Sequence, residues 1–315
     1  MKIINSSAEV IPMNDPLMHI EKIGRVCYKS NSDFTQDTAL KFFNSLVNSG
    51  HHSVLEHATF IFKVTDAMFC DLKIYKHKYL NFTRVQHSSL NSDICSSSAI
   101  VSGNLRAICE SGVVGLMLAL ERVYPQFSSY FNLDKSSIDY SMELDRPSFK
   151  LISREEFINS KPYISEINKH LYTTISFITD RGVSHEMVRH RPASYSQEST
   201  RYCNYSQDKF GNELTFIRPA TFDEWTHEQQ DTYCSSLSIA ERHYLELVTL
   251  SDLRPQLARG ILPTDIKTQI IMTANHEEWE HFFNLRSLGT TGNPHPNMKQ
   301  VADIAFKKYK EFNNI

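Results

Sequence analysis

No stretch of the 315 residues approaches eighteen uncharged apolar residues, so no segment reads as a membrane-spanning helix. The opening Met1-Lys2-Ile3-Ile4-Asn5-Ser6-Ser7 turns polar too soon to supply the apolar stretch of a secretory signal. An excess of positive charge is also missing: Lys+Arg 33 against Asp+Glu 36 leaves a net charge of -3. That argues against a general nucleic-acid coat and leaves only local basic sites. The six cysteines (27, 70, 95, 109, 203 and 234) form no C-x-x-C pair, and none stands beside a histidine. A zinc knuckle or redox dithiol is therefore not indicated, and buried thiols in a reducing compartment are expected. There is no internal repeat, coiled-coil heptad or low-complexity tail. The expectation is a cytoplasmic globular protein with no membrane and no nucleic-acid partner.

What is present is enough hydrophobic material, 41% of the chain, for a large core without staples. Residues 38–47 carry Ala39, Leu40, Phe43, Leu46 and Val47 as a helical stripe, with Gly50 as its stop. Ala58 to Val64 reads as a strand with Phe60, Phe62 and Val64 on one face. Further helices are expected over Leu105–Tyr124, Gly182–His190, Glu224–Leu250, from Pro263 to about Leu285, and over Met298–Phe312. Strands are expected over Leu171–Ile178 and Leu214–Ile217. Residues 132–162 are polar and mixed, an apparent excursion. Helices and strands mix without regular alternation, which predicts an α+β fold. The expectation is one domain over 1–315, with a mixed sheet flanked by helices.

Two segments read H-E-x-x-x-H, at His185–His190 and His276–His281. A metalloprotease helix needs its histidines four apart, roughly 40° on the helical wheel; five apart gives about 140°, so neither pair suits one metal. No metal site is expected. The densest polar cluster is Arg189-His190-Arg191-Pro192-Ala193-Ser194-Tyr195-Ser196-Gln197-Glu198-Ser199-Thr200-Arg201. Pro192 ends the preceding helix near Arg191, and cations at a helix C-terminus suit the macrodipole. That does not account for the hydroxyls, amide, carboxylate and third arginine that follow. Three arginines around such a loop make a site for an anionic ligand such as phosphate. Downstream, Arg259 precedes Pro263. The segment Asn275 to Arg286 reads as a helix with Trp279, Phe282 and Phe283 on its apolar face and Asn275, Glu278, His281 and Asn284 along a polar edge.

The order R-H-R-x-x-S-x-x-x-x-S-x-R in residues 189–201 closely resembles the signature of the flavin-dependent thymidylate synthases. Gly50-His51-His52-Ser53-Val54-Leu55-Glu56-His57 is similar to that family's upstream G-H-x-[ST]-x-x-E-H block. Arg259 to Pro263 and Asn275 to Arg286 are similar to its closing elements. The resemblance implies a homotetramer with active sites between subunits. It implies the conversion of dUMP to dTMP, with methylene-tetrahydrofolate as carbon donor and FAD reduced by NADPH. By position, Ser53, Arg189, His190, Arg191, Gln197, Asn275, Glu277 and His281 would contact FAD. Glu186, Met187, Val188, Arg189, Gln197, Glu198, Ser199, Thr200 and Arg201 would hold dUMP, with Arg259 reaching in from a neighbouring subunit. Arg286 would polarise the uracil ring, and His51 would lie near flavin and folate.

This sequence departs from the family pattern at Glu186, where glutamine is common, at Gln197, where glutamate is common, and at Glu277, where a basic residue is common. About 130 residues separate His57 from Arg189, more than the shortest members need, which places a long insertion within about 66–178. The competing readings are a nucleic-acid binder using Lys73, Lys76, Lys78, Arg84, Tyr75 and Tyr79, and a non-catalytic nucleotide-binding relative.

Overall fold

The computed structural model describes residues 1–30, 33–64, 77–85, 98–133, 149–161, 163–201, 203–206, 212–251 and 253–314. Cys70, Lys73, Tyr75, Lys76 and Cys95, singled out above, lie outside the described residues.

The first 30 residues hold three elements that the apolar pattern does not announce: β1 (Lys2–Ile4), β2 (Ser7–Val10) and α1 (Pro16–Tyr28). Helix α1 starts where the Asp15 carboxylate accepts from the Met18 amide and Pro16 supplies a first-turn residue that needs no partner. It ends at Lys29, in the left-handed region at φ 45°. Helix α2 (Gln36–Ser49) starts at a capping box between Thr35 and Thr38 and stops at Gly50, φ 73°, as its sequence predicts.

An antiparallel sheet of order β4-β5-β3-β6 follows, made of β3 (Thr59–Val64), β4 (Leu80–Val85), β5 (Ser98–Asn104) and β6 (Phe149–Ile152). Phe60, Phe62 and Val64 are buried as expected, in a core shared with Phe43, Phe127 and Phe149. The single helix expected over Leu105–Tyr124 is two, α3 (Leu105–Glu110) and α4 (Val114–Val123). The break is Gly112, whose φ of 68° no helix tolerates. The polar excursion contains α5 (Arg154–Asn159), and α6 (Ile164–His170) leads into the next sheet.

That second sheet, also fully antiparallel, has the order β2-β7-β10-β8, with β7 (Tyr172–Asp180), β8 (Ser194–Gln197) and β10 (Lys267–Asn275). Between these strands come α7 (Arg181–Met187), β9 (Thr215–Ile217), which pairs in parallel with β1, and α8 (His227–Thr249). After β10 follow α9 (His276–Arg286) and α10 (Pro296–Asn313). Ile175, Phe177, Trp279, Phe282, Phe283 and Tyr309 form the core between sheet and helices.

Two expectations are corrected. The mixture of helix and strand is as predicted, but among the described residues the single mixed sheet is three sheets, two antiparallel and one parallel pair. The helix expected from Pro263 to Leu285 is β10 followed by α9. Strand β10 is buried on both faces from Ile270 to Asn275, so Ile270-Ile271-Met272-Thr273-Ala274-Asn275 shows no apolar/polar alternation between an inner and an outer face. Among the described residues no helix is long and apolar enough to cross a membrane.

Candidate active site

Strand β8 organises the site. It is the edge strand beside β10, with Ser194 opposite Thr273 and Gln197 opposite Ile270. The two-residue period of a strand sends Ser194 and Ser196 to one side, Tyr195 and Gln197 to the other. On the first side, Ser194 Oγ donates to Glu56 Oε2 at 3.1 Å, and Ser196 Oγ pairs with His57 Nε2 at 3.1 Å. His57 Nδ1 in turn pairs with Thr273 Oγ1 at 2.7 Å, and Thr273 with Thr174 at 2.7 Å. His57 is fully buried, and burial foremost, then neighbouring His19, pushes its pKa down to about 3. It is a neutral imidazole that clamps two strands. Glu56 also accepts from Arg106 Nη1 at 2.8 Å, and Arg106 Nε donates to Glu110 at 2.7 Å. Glu56, His57 and Arg106 went without a role in the sequence reading. The signal available was the Glu-His pair that closes the upstream block.

On the other side, the Tyr195 hydroxyl lies 2.8 Å from the Met187 carbonyl and 2.9 Å from that of His190. Gln197 Nε2 donates to Ser184 Oγ at 2.8 Å and to Thr268 Oγ1 at 3.1 Å. Both amide hydrogens of Gln197 are thus committed inside the protein, and Met187 is fully buried. Helix α7 ends at Met187, short of the Pro192 stop expected.

The end of α9 meets the end of α7. Arg286 Nη1 pairs with Glu186 Oε2 at 2.8 Å, and its Nε donates to His190 Nε2 at 3.1 Å. That bond requires an unprotonated Nε2. Burial first, then Arg286 and His281, lowers the His190 pKa to about 4, so the requirement is met at neutral pH. His190 also packs edge-on to His281 and Phe282, at 5.7 and 5.0 Å between ring centres. Four predicted residues (Glu186, His190, His281 and Arg286) therefore converge. His276 faces elsewhere, paired with Thr173 at 3.2 Å and packed on Tyr309, so the H-E-x-x-x-H histidines of α9 diverge as the wheel requires.

The second half of the signature loop is tied down differently. Glu198, expected to touch substrate, is 1% exposed, with Lys267 Nζ at 2.6 Å, Lys29 Nζ at 3.1 Å and the Tyr205 hydroxyl at 3.3 Å. Burial alone would raise its pKa, but the two ammonium groups outweigh burial and hold it low. Glu198 is consumed in the interior, which corrects that expectation. The Ser199 amide donates to the Cys27 carbonyl at 3.2 Å, and Arg259 Nη1 donates to Thr200 Oγ1 at 3.3 Å. Arg259, expected to serve a neighbour, reaches the loop of its own chain. Val188, Arg189 and Arg201 are exposed.

A cleft of about 400 Å³ opens in front of β8, lined by Arg191, Ser194, Asn275, Glu277 and, across from them, Asn104 and Arg106. Asn275 also caps α9, its Oδ1 accepting from the Glu278 amide at 3.0 Å. Exposed Arg189 and Arg191 have no ion-pair partner among the described residues, so both guanidinium groups are available to an anion. His51 and Ser53 are exposed and do not line this cleft; His51 Nδ1 lies 3.5 Å from the Tyr28 hydroxyl.

The family model described as thymidylate synthase complementing protein matches residues 9–89 and 160–312. A flavin-dependent thymidylate synthase of Pyrococcus furiosus is 32% identical over 155 residues, covering 47% of this chain and 62% of its own length. One of Geobacter sulfurreducens is 36% identical over 106 residues, covering 34% of this chain and 43% of its own. The chain thus spans about half the length of these curated relatives. A solved UMP/dUMP methylase of Streptomyces cacaoi, bound with 5-Br dUMP, shares 20% identity at a TM-score of 0.38, covering 44% of this chain and 66% of that one. That likeness is too distant to carry an argument.

Proposed function

Because the chain belongs to the thymidylate synthase complementing protein family, we propose that it is a flavin-dependent thymidylate synthase. It would convert dUMP to dTMP with methylene-tetrahydrofolate as carbon donor and FAD reduced by NADPH. The observation that carries this reading is the convergence of Arg286, Glu186 and His190 beside the signature strand.

The residues present fit the cofactor. Arg189 and Arg191 offer guanidinium groups without an ion-pair partner among the described residues to a pyrophosphate, Asn275 lines the same cleft as Arg191, and His281 packs on His190. Ser53 is exposed and able to join from a ligand's far end. Gln197 is left out of this set because its amide hydrogens are already used. When bound, FAD supplies the hydride that turns the transferred carbon into a methyl group.

The chain's own residues then have separate tasks. Ser199, Thr200, Arg201 and Arg259 form the anion end and hold the dUMP phosphate. Arg286 faces the uracil ring, where negative charge grows on N3 and the adjoining oxygens as C5 becomes nucleophilic. Its Nε and Nη1 are anchored by His190 and Glu186, which fixes the direction of Nη2. A fixed cation there stabilises the transition state more than the ground state. No cysteine is needed as nucleophile. Burial raises the pKa of Cys27 and of Cys109, the opposite of what an attacking thiolate requires.

A cleft of about 400 Å³ lies toward the lower end of the range for small-molecule sites and is small for a whole dinucleotide. We therefore propose a homotetramer, one domain per chain, with sites completed by other copies. An active monomer in sedimentation would overturn this.

The reaction is tested by following dTMP formation from dUMP, methylene-tetrahydrofolate and NADPH, with and without added FAD. FAD-dependent dTMP is expected. A protein that binds FAD and dUMP yet forms no dTMP would be the non-catalytic relative instead.

A further inference from the structure

A second cavity, of about 390 Å³, lies away from the signature loop. One wall consists of Val123, Tyr124, Leu151, Ile152 and Arg154, all from residues 90–159, the segment that the family model leaves unmatched. The facing wall holds Phe60, Ile61, Tyr172 and Phe312. The unmatched segment therefore supplies one wall of the cavity, and no residue of 189–201 lines it.

Its chemistry is the reverse of the cleft beside β8. That cleft is lined by four carboxylates and three cations, whereas the second cavity is lined by aromatic, aliphatic and uncharged polar side chains (among the latter Asn14, Thr59 and Thr173) and one charged residue, Arg154. His57 and His170 also border it, but burial pushes their pKa values to about 3 and about 4, so both are uncharged at neutral pH. The Arg154 guanidinium donates Nη1 to the Tyr172 carbonyl at 3.1 Å and Nη2 to Asn313 Oδ1, and lies over the Phe312 ring at 5.4 Å. It has no ion-pair partner among the described residues. A half-buried cation without a counter-ion is unfavourable, and burial lowers its pKa accordingly. Aromatic walls with one planar cation that lacks a counter-ion and keeps unspent N–H donors complement a ligand that joins a ring to a carboxylate.

We propose that this cavity is a binding site for a small aromatic carboxylate, its ring packed among Phe60, Tyr124 and Ile152 and its carboxylate paired with Arg154. The site does not depend on the activity proposed above, and its test reads binding alone. Isothermal titration of the full chain with 3-phenylpropionate is compared with 3-phenylpropan-1-ol, which keeps the ring and loses the charge. A charge-assisted pair predicts that the acid binds about tenfold more tightly than the alcohol. Arg154→Met should abolish that preference at unchanged melting temperature, and Ile152→Phe, which fills the cavity, should weaken both ligands. Absence of saturable binding by wild type up to about 10 mM acid overturns the proposal. So does equal binding of acid and alcohol, or a preference that survives Arg154→Met. Binding that appears only on dilution of the assembly would mean that a second copy fills the cavity, and also overturns it.

Discussion

The two four-stranded sheets share one plan, all strands antiparallel, but they bury different chemistry. The sheet of β3, β4, β5 and β6 turns Phe60, Phe62, Val64 and Phe149 onto Phe43 and Phe127. The sheet of β2, β7, β10 and β8 has an apolar core of its own in Ile175, Phe177, Ile270 and Met272, and it also buries Thr173, Thr174, Thr273, Ser194 and Ser196. Hydrocarbon contacts are forgiving of small displacements, whereas a buried hydroxyl is costly unless its partner stays within bonding distance. Both sheets therefore rest on apolar cores, and the second adds a buried hydroxyl network. The polar sheet, through Glu56 and His57, sets where the signature strand lies. Polar links also leave the first sheet: Ser102 bonds to His170 at 2.9 Å, which continues to Thr83 at 2.8 Å, and Asn81 donates to the Tyr172 hydroxyl of the second sheet at 2.7 Å.

The sharpest way to break this contrast is at Phe62, which is fully buried. Phe62→Ala should cost about 3–5 kcal/mol in denaturant unfolding while turnover per folded molecule stays near wild type. A small stability loss, or a selective loss of turnover, would erase the distinction. His57→Leu should cost less, about 1–3 kcal/mol, because it strands Ser196 and Thr273. Unlike Phe62→Ala, it should raise the KM for dUMP by loosening β8.

The polar sheet should also make the fold acid-sensitive. Burial holds His19 and His190 near pKa 4 and His57 and His276 near 3, and His170, in the link between the sheets, near 4. These values lie below the unfolded histidine value of about 6.5. Between that pH and about 4 the unfolded chain binds more protons, so stability is full above about 6.5 and falls as the pH drops. Denaturant midpoints measured across this window should show that decline, with a shallower slope in His57→Leu. The smallest effect is expected at the thiols. Replacing Cys27, Cys109, Cys203 or Cys234 by alanine, one at a time, should leave turnover within a few-fold, and a collapse at any one of them would contradict a route without an enzyme nucleophile.

How much of this was legible depended on whether a residue's partner was local. The α2 stripe and its Gly50 stop, the face of β3 and the arginine-rich loop are set by neighbours in sequence and are read directly. Strand β10 was not, because burial on both faces removes the alternation that marks a strand. Glu198 was taken for a ligand contact because the family resemblance places it, by position, among the residues that hold dUMP. Its partner Lys267 stands 69 positions away. The clamp of His57 on Ser196 spans 139 positions, beyond any local pattern. Gln197 and Glu198 are adjacent yet serve opposite sides of β8, a distinction that appears only once the strand is placed.

The central claim is that Arg286, held by Glu186 and His190, acts on the uracil ring. Its most direct test is to measure dTMP formation and NADPH-dependent flavin reduction side by side in wild type and in Arg286→Ala. Loss of one such fixed donor predicts a fall of about 100-fold or more in dTMP formation. Flavin reduction, which does not involve the uracil, should stay within a few-fold. An equal fall in both rates, in a variant that is folded and binds FAD, would contradict the account.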